Sequence, residues 1–135
     1  MKFRRLMETN VSRAKNKKLL IASSCLVEDM PSLFEKYGEE FFGLKVCMEA
    51  ECFNMVAYKV LSFIKYSNVD EVHIVTVEGS PHCIQLHHML DDIKKNFANV
   101  KTRHFVATRG ELVEIPYEVV KVSRYLARLK NRLLK

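Results

Sequence analysis

The middle of the chain reads Val72-His73-Ile74-Val75-Thr76-Val77-Glu78-Gly79-Ser80-Pro81-His82-Cys83. Its first six residues are mostly β-branched, which predicts a buried strand. The following residues are those that make turns and begin helices: Gly79 permits a tight turn, Ser80 is a preferred N-cap, and Pro81 suits the first helical position. The segment therefore predicts a strand that turns directly into a helix.

The same order of strand and helix recurs on both sides of this segment. Further strands are predicted over residues 19–24, 44–48 and 103–107, with an edge strand over 111–115. Helices are predicted over residues 31–42, 51–66, 81–97 and 117–134, and a preceding helix over 3–15 is an option. The alternation predicts one α/β domain over residues 1–135, with three layers and a mostly parallel sheet of four or five strands, flavodoxin-like or Rossmann-like.

The charge of the chain is concentrated at its two ends. The formal net charge is +6, yet residues 1–18 hold seven Lys/Arg against Glu8 alone, and residues 121–135 hold six Lys/Arg and no acid. The segment between them is therefore acidic. Basic terminal helices, rather than the body of the domain, are the candidates for binding nucleic acid, an anionic membrane surface, a protein partner or a second copy of the chain.

The sequence also predicts the cellular compartment of the protein. The first residues are basic but lead into a polar amphipathic segment rather than an apolar core, so no signal peptide is predicted. No apolar run is long enough to predict a transmembrane segment. We therefore expect a cytoplasmic protein, whose four cysteines are free, metal-bound or redox-active rather than paired in structural disulfides.

The four cysteines, Cys25, Cys47, Cys52 and Cys83, all fall in or beside predicted strand-to-helix loops. Right-handed connections place such loops at one edge of a parallel sheet, where ligands of these folds bind. Four thiolates there would suit tetrahedral zinc or an iron–sulfur cluster. The alternative is that Cys47 ends its strand pointing inward and Cys52 faces the core.

Cys83 has the strongest individual prediction. It falls in the opening turn of a predicted helix, where unpaired amides and the helix dipole stabilise a thiolate. We therefore take Cys83 and His82 as candidate catalytic residues, with His82 as a proton carrier, and Gly79 and Ser80 as candidate cofactor-binding residues. The alternative is a small buried cysteine that packs a strand-to-helix corner.

The segment from Cys52 to Cys83 resembles the iron–sulfur delta subunit of methyl-viologen-reducing hydrogenases and related heterodisulfide-reductase partners. In that family a strand ends in a cysteine, an amphipathic helix follows, and a second strand ends in a Gly-Cys-His-x-Gly-x-Cys-His type of loop. Ser80 stands where that family has another cysteine, and the fuller cysteine cluster around Cys25 is absent. The resemblance implies cluster binding and electron transfer.

Phosphate chemistry is disfavoured. The turn after the first predicted strand, residues 23–29, lacks a glycine-rich phosphate loop and contains Glu28 and Asp29, whose charges would repel phosphate. It also lacks the arginine that thiol phosphatases need and the ligand spacing of a carbonic-anhydrase type of zinc site. Three functions stay open: redox or metal binding, thiol catalysis by Cys83, and a non-catalytic binding or assembly module that acts through the basic ends.

Overall fold

A computed structural model describes residues 1–134 of the chain. Over these residues the strands are β1 (Phe3–Arg5), β2 (Lys18–Ser23), β3 (Phe41–Val46), β4 (Glu71–Val77), β5 (Lys101–Thr108) and β6 (Glu111–Ile115). The α-helices are α1 (Ser24–Asp29), α2 (Phe53–Tyr66), α3 (Ile84–Asn96), α4 (Tyr117–Val122) and α5 (Leu126–Leu133). Short 3₁₀ turns cover Leu6–Glu8, Val11–Ala14 and Pro31–Phe34. None of the helices in this part of the chain has the length and apolarity needed to cross a membrane.

The strands form one sheet in the order β1-β3-β2-β4-β5-β6. All neighbouring strands are parallel except β5 and β6, which are antiparallel. From β2 the chain moves to β3 on one side and then crosses to β4 on the other, so the strand order reverses between β2 and β4. The three-layer, mostly parallel prediction is confirmed, although the described residues form six strands instead of four or five.

Alternation along the strands divides the core between the two faces of the sheet. On one face, Leu19 and Ile21 of β2 pack with the buried sides of α2 and α3. On the other face, Leu20 and Ala22 pack with α1 and with Phe34 of the following 3₁₀ turn. Burial on both faces explains why β2 is a continuous apolar run rather than an alternating one.

The option of an N-terminal helix over residues 3–15 is wrong. The chain instead adds β1 to the sheet edge beside β3, with Phe3 opposite Gly43, and then forms two 3₁₀ turns that bury Leu6 and Ala14. A Cβ on residue 43 would lie 2.9 Å from the carbonyl oxygen of Lys2, so the glycine permits this close approach. Strand pairing therefore overrides the local helical pattern, and only the C-terminal basic segment is helical.

All four predicted helices are shorter than predicted: α2 and α3 begin two and three residues late, and the other two differ more. The helix over residues 31–42 is reduced to the Pro31–Phe34 turn because Phe41 and Phe42 belong to β3. The final helix is interrupted between α4 and α5. At this break Arg124 donates a hydrogen bond to the carbonyl of His88 and pairs with Asp92, and these contacts attach the interruption to α3.

Candidate functional site

A cavity of about 260 Å³ opens at the carboxyl ends of β2, β3 and β4. Each of these strands and the loop after it supplies part of the wall. The lining residues are Ser23, Ser24, Cys25, Val46, Cys47, Met48, Glu49, Val77, Ser80 and Cys83. We call this space the thiol cavity, because three of the four cysteines line it.

The deepest thiol lies where the strand order reverses. Ser23 ends β2, Cys83 directly precedes α3, and the Ser23 hydroxyl donates a hydrogen bond to the Cys83 sulfur over 3.3 Å. Cys83 is only 9% exposed. The reversal between β2 and β4 therefore places a buried sulfur at the position where open α/β sheets bind their ligands.

The other two thiols of the cavity are exposed. Cys25 is the second residue of α1, and Cys47 follows β3 directly. Burial raises the pKa of the Cys25 thiol, and the nearby Cys83 raises it further, while the backbone amides of Leu26 and Cys25 act in the opposite direction. Cys25 and Cys83 thus face the same cavity from two different loops.

Cys52 lies apart from this group. It is exposed, directly precedes α2, and is not among the residues that line the thiol cavity. Across residues 1–134, no three histidine, cysteine, aspartate or glutamate side chains lie close enough together to hold a metal ion. The structure thus brings together Cys25, Cys47 and Cys83, and the four-cysteine metal site stays a prediction.

The turn between β4 and α3 has the backbone that its sequence predicts. Gly79 has a φ of +83°, in the left-handed region that favours glycine. The Ser80 hydroxyl accepts a hydrogen bond from the amide of Cys83 over 3.2 Å, so it caps the turn that leads into α3. This cap fixes the position of Cys83 at the cavity wall. Cofactor binding by Gly79 and Ser80 stays a prediction.

The His82 side chain lies near the edge of the thiol cavity. It is 51% exposed, and its Nε2 lies 3.6 Å from Oε1 of Glu49, which lines the thiol cavity. His82 itself is not among the lining residues. Its predicted role as a proton carrier for Cys83 therefore stays a prediction.

A second polar group lies farther along α3. Thr76 of β4 bonds to Nε2 of His87 over 2.8 Å, and Nδ1 of His87 lies 2.9 Å from Nδ1 of His104 on β5. We call these three residues the histidine cluster. Thr76 and His87 also line a separate cavity of about 230 Å³ beside the Gly79 turn. The sequence analysis did not predict this cluster, although strand alternation puts residues 76 and 104 on the face that α3 covers.

The histidine cluster holds two neutral imidazoles. Burial, together with the neighbouring His104 and His88, lowers the pKa of His87 to about 3. Burial also lowers the pKa of His104 to about 4, although the charges of Asp91 and Glu114 oppose this shift. Because the two Nδ1 atoms share one hydrogen bond, one ring carries its proton at Nδ1 and the other accepts.

Asp91 on α3 is an unusual buried acid beside this cluster. Its side chain is fully buried, and neither carboxyl oxygen has a hydrogen-bond partner within residues 1–134. Lys95 and Arg124 approach it, with Nζ and Nε at 3.7 and 3.9 Å from Oδ2. Asp91 is therefore balanced by charge at a distance rather than by direct hydrogen bonds.

A family model described as a Rossmann-like domain matches residues 12–133. The chain belongs to this family. No curated protein and no solved structure matches the chain. In the Rossmann-like domain, the strand reversal between β2 and β4 marks the expected ligand crevice, and the thiol cavity lies there. The resemblance to the hydrogenase delta subunit stays a prediction, because the match extends only to the Rossmann-like domain.

Proposed function

We propose that this Rossmann-like domain is a small redox or metal-binding domain that holds a soft metal centre in the thiol cavity. The observation that carries the proposal is the convergence of Cys25, Cys47 and Cys83 from three separate loops onto one cavity at the strand reversal. Thiolates are the protein ligands that zinc and iron–sulfur clusters prefer.

The placement of the three thiols around one cavity supports a cluster over a single ion. A zinc ion needs its ligands gathered around one point at about 2.3 Å, and no such group of three is found within residues 1–134. An iron–sulfur cluster presents several iron atoms, so its cysteine ligands stand farther apart. Three thiols distributed around a cavity of about 260 Å³ fit this second arrangement better.

The residues around the thiols have separate roles in this proposal. Cys25, Cys47 and Cys83 are the sulfur ligands. The Ser23 hydroxyl donates to the Cys83 sulfur, and such hydrogen bonds to ligand sulfurs help set the reduction potential of a cluster. Val46 and Val77 supply apolar wall that limits contact with water. The metal supplies the electron-transfer chemistry when it is bound.

Metal analysis of anaerobically prepared protein tests the proposal. We expect the wild-type chain to retain iron with sulfide, or zinc, after reconstitution and gel filtration. Serine substitution of Cys25, Cys47 or Cys83 should each reduce the retained metal at least several-fold. Cys52→Ser is the matched control, because Cys52 is equally exposed but lies outside the cavity, and it should leave the metal content unchanged.

The outcomes separate the alternatives. Retention of neither iron nor zinc by the folded wild-type protein would overturn the metal proposal. Equal loss of metal in all four serine variants would instead support the four-cysteine ligand set predicted from the sequence. Urea unfolding of each variant checks that a loss of metal does not arise from a loss of fold.

A second candidate function rests on the position of Cys25 and Cys83 in the wall of one cavity. These thiols could reduce a disulfide substrate. The Cys25 thiolate would attack one substrate sulfur and release the other as a thiol, and Cys83 would then attack Cys25 and release the second thiol. The protein would end with a Cys25–Cys83 disulfide, having passed two electrons to the substrate.

Mass spectrometry distinguishes this second candidate. Oxidised glutathione added to the metal-free reduced protein should yield an intramolecular disulfide between Cys25 and Cys83, through a transient mixed disulfide. Cys83→Ser should stop at the mixed disulfide on Cys25, whereas Cys52→Ser should behave as wild type. A stable glutathione adduct on wild-type Cys25 with no second step would contradict disulfide exchange.

A further inference from the structure

Helix α5 exposes apolar side chains that nothing in residues 1–134 covers. Leu126 and Leu133 are 76% and 71% exposed, and Tyr125, at the start of the helix, is 43% exposed. No residue of α5 is buried. Residues 126, 129 and 133 recur at helical spacing, so the leucines form one stripe along the helix, with Leu129 partly buried between the two exposed leucines.

Basic residues border this stripe. Arg128, Lys130 and Arg132 are exposed on α5, and the guanidinium of Arg128 lies 4.7 Å from the centre of the Tyr125 ring. The whole segment 121–135 contains six Lys/Arg and no acid. A surface that accepts α5 must therefore be negatively charged and must also receive apolar side chains.

We infer that α5 binds the surface of a membrane that contains anionic lipids. An interfacial helix of this kind lies parallel to the membrane, with leucines among the upper acyl carbons and lysines and arginines at the lipid phosphates. Tyrosine suits the same boundary, because it combines an apolar ring with a polar hydroxyl. The charge and the exposed stripe of α5 match both parts of this surface.

Nucleic acid explains only half of these observations. Phosphate contacts would use Arg128, Lys130 and Arg132, but they would leave Leu126 and Leu133 in water. Single-strand binding relies on successive aromatic rings on which bases stack, whereas this surface offers the Tyr125 ring, which Arg128 already approaches. The exposed leucine stripe therefore favours the lipid surface.

The fold presents α5 in a fixed place for this contact. Arg124, in the break before α5, donates to the carbonyl of His88 and pairs with Asp92 on α3. Val120 and Val122 of α4 are buried. The helix therefore leaves the body of the domain from an anchored base, and its exposed stripe does not require any core residue to be displaced on binding.

Vesicle sedimentation tests the inference. Full-length protein should sediment with vesicles of phosphatidylcholine and phosphatidylglycerol, should bind phosphatidylcholine alone at least tenfold more weakly, and should be released by high salt. The paired variant Leu126→Gln/Leu133→Gln should lower the partition coefficient roughly tenfold or more. Lys130→Gln/Arg132→Gln should lower it by a similar factor on anionic vesicles only.

A matched control lies on α2. Tyr58 and Tyr66 are each 71% exposed, so Tyr58→Gln/Tyr66→Gln removes a comparable exposed apolar surface outside α5 and should change the partitioning less than about twofold. Thermal unfolding of each variant confirms that the fold is retained. Absence of vesicle binding by the wild type would overturn the inference. Retention of single-stranded RNA that the leucine substitutions leave unchanged, without vesicle binding, would instead assign α5 to nucleic acid.

Discussion

The thiol cavity and the histidine cluster lie four residues apart on the chain, at Cys83 and His87, and differ in what they expose. The cavity has two exposed thiols and one buried thiol at the open end of the sheet. The cluster has two buried imidazoles whose polar atoms are mostly occupied by each other and by Thr76. The start of α3 therefore faces an open cavity, whereas its next turn is packed into the interior of the fold.

Acidification should break the histidine cluster before it affects the thiol cavity. The unfolded histidines bind protons below pH 6.5, but the native His87 and His104 stay neutral down to pH values of about 3 and 4. The unfolded state therefore takes up more protons, and stability falls as the pH falls. We expect a loss of roughly 2 kcal/mol for each histidine between pH 7 and pH 5. Urea unfolding at the two pH values measures it.

The control for this prediction is the double variant His87→Gln/His104→Gln. It should be less stable at pH 7 but should lose less stability on going to pH 5, because it lacks these two rings. His73 and His88, whose pKa values burial also lowers, account for the loss that remains in the variant. Glu71 and Glu114 are carboxyl groups whose pKa values are lowered, so they change protonation at lower pH. They therefore add little to the change in stability between pH 7 and pH 5. A wild-type protein with equal stability at both pH values would contradict the buried neutral histidines.

Thr76→Val should weaken the same cluster by removing the hydroxyl partner of His87. The valine keeps the shape of the side chain, but Nε2 of His87 is left buried without a hydrogen bond. We expect a loss of about 1–3 kcal/mol in the free energy of unfolding. Thr76→Ser retains the hydroxyl and loses only a methyl group, at about 0.8 kcal/mol. Equal losses in the two variants would show that packing, rather than the hydrogen bond, makes Thr76 important.

Thiol labelling measures the difference in accessibility between the buried Cys83 and the exposed cysteines. The sequence predicts Cys83 as the most readily ionised thiol, but its burial works against the entry of a reagent. In the native protein, we expect iodoacetamide to modify Cys25, Cys47 and Cys52 at least about tenfold faster than Cys83. Peptide mass spectrometry measures the rate of modification at each cysteine. All four should react at similar rates in urea. Faster native modification of Cys83 would show that the helix start outweighs burial.

Ser80→Ala has the smallest expected effect on stability, and it tests whether the cap before α3 affects the thiol cavity without affecting the histidine cluster. Loss of the cap on the Cys83 amide should cost about 1 kcal/mol and loosen the turn before α3. Native labelling of Cys83 should then become faster, while the histidine cluster keeps its pH dependence. Ser62→Ala, on an exposed turn of α2, is the control and should change neither quantity. Unchanged labelling of Cys83 in Ser80→Ala would contradict the capping role.

The structure of the segment from β4 to α3 could be predicted because it depends on residues that are close together in the sequence. A β-branched run needs burial, Gly79 allows the left-handed turn, and Ser80 caps the turn before the helix; none of these depends on distant residues. The helix itself begins at Ile84 rather than at the predicted Pro81, so Cys83 directly precedes it. The edge position of β1 could not be predicted in this way. It depends on Gly43, forty residues away from Phe3, which leaves room for the approaching backbone.

The candidate site was predictable in part for the same reason. Parallel topology brings strand-to-helix loops to one edge, so the gathering of Cys25, Cys47 and Cys83 follows from the strand pattern. The separation of Cys52 does not, because it depends on how residues 47–52 turn before α2. The contact between His87 and His104 likewise requires the packing of α3 on β5, which periodicity alone does not specify.

The outer strands of the sheet carry opposite charge. β1 is three residues long and contains Arg4 and Arg5, whereas β6 contains Glu111 and Glu114. Two copies that met through like edges would place arginine near arginine or glutamate near glutamate, which disfavours strand pairing between molecules. Unlike edges attract, but β1 offers few backbone hydrogen bonds. Pairing between like edges of two copies is therefore disfavoured by charge, and pairing between unlike edges is limited by the three-residue length of β1.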